Sequence, residues 1–276
     1  MEKSSSTIFR KHIALPSDHG SWVFLFCPLL IGLFAGGRWT VASLCLIIAA
    51  LAAFLLRQPL SIVVKIHSGR RSHRDLPTAW FWSIVYGMIS ILAVIGLILL
   101  GFIYLLILAI PGILVFSWHL YLISKRAERR QAGVEIVASG VLALTAPAVY
   151  WIGIGSHNLT GWLLWLLIWA QSAASIVFAY LRLEQRQLTS PPNRKTRITM
   201  GRRSLLYSTF NLMTVIILSM LRITPPLLPL AYAIQWFETI RGVSNPAIGV
   251  KPTLIGLRQL AVSTIYTILF IVTWQL

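Results

Sequence analysis

The chain has 276 residues, 57% of them hydrophobic and 11% charged, with 24 Lys and Arg against 7 Asp and Glu and a formal net charge of +17. A soluble globular domain carries roughly 25% charged residues, so this composition excludes a water-soluble protein and leaves one embedded in a membrane. The basic surplus does not signal nucleic acid, because the Lys and Arg sit in short connections between apolar runs, as the positive-inside rule requires, and not in a stripe that could track phosphates.

Residues 1–20 form a polar cytoplasmic segment without the apolar stretch of a cleavable signal. The first span, at 21–36, is therefore expected to act as its own uncleaved membrane signal. Further spans are predicted at 39–56, 78–98, 103–123, 134–154, 162–181, 205–221, 227–237 and 254–274. Most approach the roughly 20 apolar residues that cross a bilayer as a helix, and the first and eighth are short. Basic inner loops are expected at 57–77, 124–133, 182–204 and 238–253. With the N-terminus inside, all but Arg38 and Arg222 of the 24 Lys and Arg fall on the inner side. The expected fold class is all-α: a single polytopic transmembrane helical bundle over 21–276, about nine spans, N-in and C-out, in a bacterial inner membrane.

Several positions carry structural expectations. Gly32 and Gly36 make a small-xxx-small pair that lets a neighbouring helix approach. Pro28, Pro111 and Pro147 lie within spans, where neighbours must satisfy the carbonyls they free. Trp22, Trp39, Trp80, Trp151, Trp162 and Trp274, near span ends, fit an interfacial belt. Cys27 and Cys45 read as buried small hydrophobes. The Asn158-Leu159-Thr160 triplet matches a glycosylation acceptor, a chance match in a bacterial protein.

Chemical motifs are sparse. There is no phosphate-cradling Gly loop, no paired His or Cys at ligand spacing and no nucleophile elbow. No catalytic residue is therefore assigned, and neither a metal nor a cofactor is expected. His67 and His73 stand among Arg70, Arg71 and Arg74, which would repel a dication. The carboxylates Glu2, Asp18, Asp75, Glu128, Glu135, Glu184 and Glu238 all map to the inner side or inner span ends, which speaks against an ion-coupled pump.

Three inner segments remain as a candidate site: 15–22, 57–60 and 180–184. Each residue alone has a plainer role, with Asp18 as a helix cap and the arginines as membrane anchors. Together the stretch PSDHGSWVFLFCPLL at 16–30, RQPL at 57–60 and YLR at 180–182 resemble the YwiC-like family. That resemblance implies a bacterial integral membrane protein with no assigned activity. The family's opening motif carries a Glu before the His-Gly pair, where this chain has Asp18.

A more distant resemblance, to UbiA-type prenyltransferases, implies a helical bundle with an inside N-terminus and two functional inner loops after the second and sixth spans. In that family the loops carry Asp-rich motifs. Here they carry Arg57 and Arg182, with Asp75 and Glu184 as the carboxylates on offer, so magnesium-dependent prenyl transfer is not expected. The expectation is a UbiA-like bundle, among membrane lipids, with an inner-face cavity for an anionic lipid or isoprenoid-type ligand. Its candidate residues are Asp18, His19, Trp22, Arg57, Gln58, Tyr180, Arg182 and Glu184. Arg57 and Arg182 would hold phosphate through planar guanidinium forks, His19 would serve as donor or acid/base, and Trp22 and Tyr180 would line the apolar wall. A lipid-modifying enzyme, a lipid or small-molecule transporter and a membrane scaffold for another protein all stay open at this point.

Overall fold

The computed structural model describes residues 11–16, 19–127 and 131–276. Every regular element among the described residues is helical. In chain order these are α1 (Lys11–Ala14), α2 (Val23–Gly36), α3 (Val41–His67), α4 (Leu76–Leu99), α5 (Leu106–Ser124) and α6 (Ala132–Ala143). They continue with α7 (Thr145–Ile154), α8 (Leu159–Gln185), α9 (Arg194–Met220), α10 (Pro229–Ser244) and α11 (Pro252–Gln275). Seven stretches are long and apolar enough to cross a membrane: Val41–His67, His73–Leu99, Ile103–Ser124, Ala132–Ile154, Leu159–Gln185, Arg194–Met220 and Pro252–Gln275. Gly20–Gly36 is a shorter apolar helix. The chain is thus a polytopic membrane helical bundle, and each apolar run predicted from the sequence falls on helix, the run 134–154 on two.

The helix ends follow local chemistry. Thr40 opens α3 with a capping box, its Oγ1 accepting from Ser43 N at 3.3 Å while its own N–H donates to Ser43 Oγ at 3.4 Å. Asn158 Oδ1 accepts from Gly161 N at 3.2 Å and starts α8, so the acceptor-like triplet has a capping role. Asn193 does the same for α9 through Thr196 N at 2.8 Å.

Helix ends also depart from the expected spans. α3 runs to His67, past residue 56, because Pro59, Ile62, Val63 and Ile66 recur at helical spacing and are buried. Arg57 therefore lies inside a helix and not in a loop. Likewise α8 continues to Gln185, and α9 starts eleven residues before its apolar run. The run 134–154 is broken at Leu144 into α6 and α7. Pro147 lacks the N–H that would donate to the Ala143 carbonyl, and the break falls there.

Two compact units make up the chain. The first holds residues 1–19 and 39–134. In it α3 lies along α4, and α5 packs on α3. The short α1 is anchored on both: Ile13 is fully buried with Ile62, Val63, Ile66 and Ala79, Tyr86 Oη donates to the Ala14 carbonyl at 3.1 Å, and Gln58 Nε2 donates to the His12 carbonyl at 3.2 Å. The Arg70 guanidinium donates to the Ile123 carbonyl at the end of α5.

The second unit holds residues 20–38 and 135–276. α2 packs on α7 through glycine, as the Gly32 and Gly36 pair predicts. A Cβ on Gly32 would lie 2.2 Å from the Ala146 carbonyl oxygen, and one on Gly153 would lie 2.6 Å from that of Gly36. α8 holds α6 by Trp165 and Trp169, stacked 5.1 Å apart, whose indole N–H groups donate to the carbonyls of Gly140 and Ile136, both at 2.8 Å. Trp151 departs from the expected belt: it is 1% exposed and donates to the Asn158 carbonyl at 3.2 Å. Helices α8 to α11 then pack in succession, each against the next.

Candidate anion-binding face

The residues singled out in the sequence divide between the two units. Asp18 lies outside the described residues, and His19 is placed in the turn His19–Trp22, with its side chain also outside them. Arg57 and Gln58 belong to the first unit, and Trp22, Tyr180, Arg182 and Glu184 to the second.

In the first unit, Arg57 is half-buried with its guanidinium 5.3 Å from the centre of the Phe54 ring, a cation–π geometry. Gln58 is engaged with the His12 carbonyl, so its amide holds the N-terminal segment in place.

In the second unit, Arg182 is built into a clamp. Its Nη1 donates to Gln185 Oε1 at 2.9 Å, to the Gly242 carbonyl at 2.9 Å and to the Asn245 carbonyl at 2.7 Å, while the guanidinium lies 5.9 Å from the Phe178 ring centre. The last carbonyls of a helix lack intrahelical partners and carry the negative end of its dipole. Arg182 answers both needs for α10. Gln185 completes the clamp, donating to the Gly242 carbonyl at 3.1 Å and accepting from Ala247 N at 3.3 Å. Two more arginines repeat the motif: Arg186 Nε reaches the Val250 carbonyl at 3.1 Å, and Arg197 Nη1 reaches the Ser244 carbonyl at 2.6 Å. The ends of α8 and α10 and the starts of α9 and α11 are thereby gathered at one end of this unit.

Around the clamp, Arg194, Lys195, Arg202, Arg203, Arg241 and Lys251 are exposed, as is Glu184. Tyr180 Oη donates to Glu135 Oε1 at 2.7 Å, and Trp22 stacks on Phe26 with centroids 5.7 Å apart. Glu238, 9% exposed, takes a two-pronged bond from Arg258 at 2.5 and 2.7 Å. Among the described residues no ion pair joins these exposed cations to a carboxylate, and such a basic surface suits phosphate or another anion.

Sequence reasoning missed Gln185 and the Glu238–Arg258 pair. Gln185 carried a signal, being a polar residue in the last turn of an apolar helix. The pair carried none, since it joins two helices. Among the described residues, no group of three or more His, Cys, Asp or Glu gathers where a metal could sit.

Comparison with known proteins places these observations. No curated protein and no solved structure matches the chain. The model of the family described as YwiC-like protein matches residues 15–150, a stretch that includes 16–30 and 57–60 and ends before 180–182. By that match, residues 15–150, with the opening motif and the helices that follow it, are similar to the YwiC-like family.

Proposed function

We propose that this YwiC-like protein is a bacterial inner-membrane protein with a cytoplasmic N-terminus that binds the anionic head of a lipid or isoprenoid-type amphiphile at the charged end of its second unit, without a metal. The observation behind this reading is the ring of exposed cations, Arg194, Lys195, Arg202, Arg203, Arg241 and Lys251, around a clamp whose own arginines already answer backbone carbonyls. The exposed ring is thus left for phosphate oxygens. Magnesium takes oxygen ligands, usually carboxylates with substrate phosphates, and a basic face disfavours a dication while attracting the phosphate directly. Arg57 is proposed as a separate anion contact in the first unit.

The test is lipid retention by the full chain in nanodiscs, read by native mass spectrometry. Phosphatidylglycerol and a polyprenyl phosphate should be retained over phosphatidylcholine. Retention should survive chelator, weaken with salt, and fall about tenfold when Arg202 and Arg203 both become Gln, given that bonds to charged groups are worth about 1.5–3 kcal/mol before solvent screening. Equal retention of phosphatidylcholine, or a requirement for magnesium, would overturn the reading.

A further inference from the structure

Away from its charged end, the second unit contains a cavity of about 20 Å³ between α2, α8 and α11, room for little more than one water-sized group. Its polar lining consists of Cys27, Gln171, Ser172, Ser175, Ser263 and Tyr266. The lining holds neither a carboxylate for a cation nor a basic group for an anion. What it holds is a mixed set of uncharged donors and acceptors.

Gln171 gives the cavity its chemical character. It is 5% exposed and lines the cavity; its carboxamide makes no hydrogen bond to a described residue, and its atoms are not fully sealed from solvent. Burying an amide without a partner in an apolar interior is unfavourable, and such groups in native proteins have partners. Ser175 adds to the set: its Oγ accepts from Gln259 Nε2 at 2.8 Å, which leaves its O–H to donate elsewhere. The cavity is also reachable, since Val23, Phe24 and Cys27 on α2 and Ser263 on α11 are only half-buried. Cys27, expected from the sequence to be a buried small hydrophobe, is half-buried and lines the cavity.

We propose that this cavity binds the uncharged oxygen-bearing end, a hydroxyl or carbonyl, of an amphiphile dissolved in the membrane. Gln171 would donate and accept, the serines would complete the set, and the apolar tail would leave past Val23 and Phe24. This site is independent of the anion-binding face, because nothing in its lining is charged.

Cys27 supplies the reporter. In the Cys45→Ser background the chain has one thiol, and full-length protein in nanodiscs is treated with N-ethylmaleimide while modification of Cys27 is timed by mass spectrometry. 1-Dodecanol and 2-dodecanone are expected to slow modification at least fivefold and saturably. Dodecane and dodecyl phosphate, matched in chain length, are expected to leave the rate within twofold. Gln171→Leu, and separately Ser263→Ala on another helix, should abolish the protection, so that failure of one variant to fold does not end the test. An unreactive Cys27, protection by dodecane as strong as by dodecanol, or protection surviving both substitutions would overturn the proposal and leave a cavity that holds water alone.

Discussion

At the scale of single residues, Arg182 shows how a site candidate can serve the frame that presents the site. A guanidinium reaches several oxygens at fixed angles, whereas an ammonium is a point donor on a flexible stem. Arg182→Gln removes the cation from the end of α10 and is expected to lower stability by about 3 kcal/mol, the worth of one or two bonds to a charged group. Arg182→Lys should recover roughly half of that. Glu184→Gln, exposed in the same turn, should change nothing measurable. Thermal unfolding in detergent, followed by tryptophan fluorescence, distinguishes the three, and equal melting of all of them would mean that Arg182 does not hold the end of α10. The sequence pointed to Arg182 because an arginine ending an apolar run is conspicuous. Its partners were illegible, since the carbonyls of Gly242 and Asn245 are backbone groups that every residue carries.

At the scale of helices, run length was legible and contact was partly so. An apolar stretch long enough to span a bilayer is a local property, and every predicted run but 134–154, which is split between α6 and α7, falls on a single α-helix or its 3-10 extension. The small-xxx-small pair Gly32 and Gly36 named the contact face of α2 correctly, though not its partner α7. Helix ends were harder to read, as α3 shows: its last turns mix basic residues with the buried set Pro59, Ile62, Val63 and Ile66, so hydropathy falls before the helix stops. The contrast between two glycines tests the packing. Gly32→Val puts a Cβ 2.2 Å from a backbone oxygen that no side-chain rotation can move, and should cost about 1–3 kcal/mol or more. Gly256→Ala, in α11 with nothing within 4 Å of the new Cβ, should be stabilising by about 0.4–1 kcal/mol through the unfolded chain. Loss of folded protein for Gly32→Val beside a raised melting temperature for Gly256→Ala is the expected pair. A Gly32→Val protein as stable as the parent would mean that α2 does not rest on α7 through this face.

At the scale of the whole molecule, the division into two units was not legible, because hydropathy reports where a helix is and says nothing of which helices prefer each other. Orientation is a different matter, and the second unit supplies an argument about it that does not depend on counting spans. Gln275 Nε2, at the end of α11, donates to the Phe34 carbonyl at the end of α2 at 3.4 Å. The last residues therefore stand beside the end of α2 and away from its start at residue 23. If the basic connections lie inside, the C-terminus is outside. The helix that decides the count is α10, whose 16 residues span about 24 Å at 1.5 Å per residue, short of the roughly 30 Å hydrocarbon core. Its end is tied by Arg197 to the start of α9, as expected of two neighbours running in opposite directions across one layer, and Arg222 and Lys251 flank its two ends. Alkaline phosphatase fused after Thr224 and after Leu276 should be active, and fused after Lys251 inactive. Activity after Thr224 and Lys251 but not after Leu276 would mean that α10 does not cross while α11 does, and would place the C-terminus inside. Activity after Lys251 alone would invert the second unit in the membrane and overturn the proposed inner-face placement of its basic end.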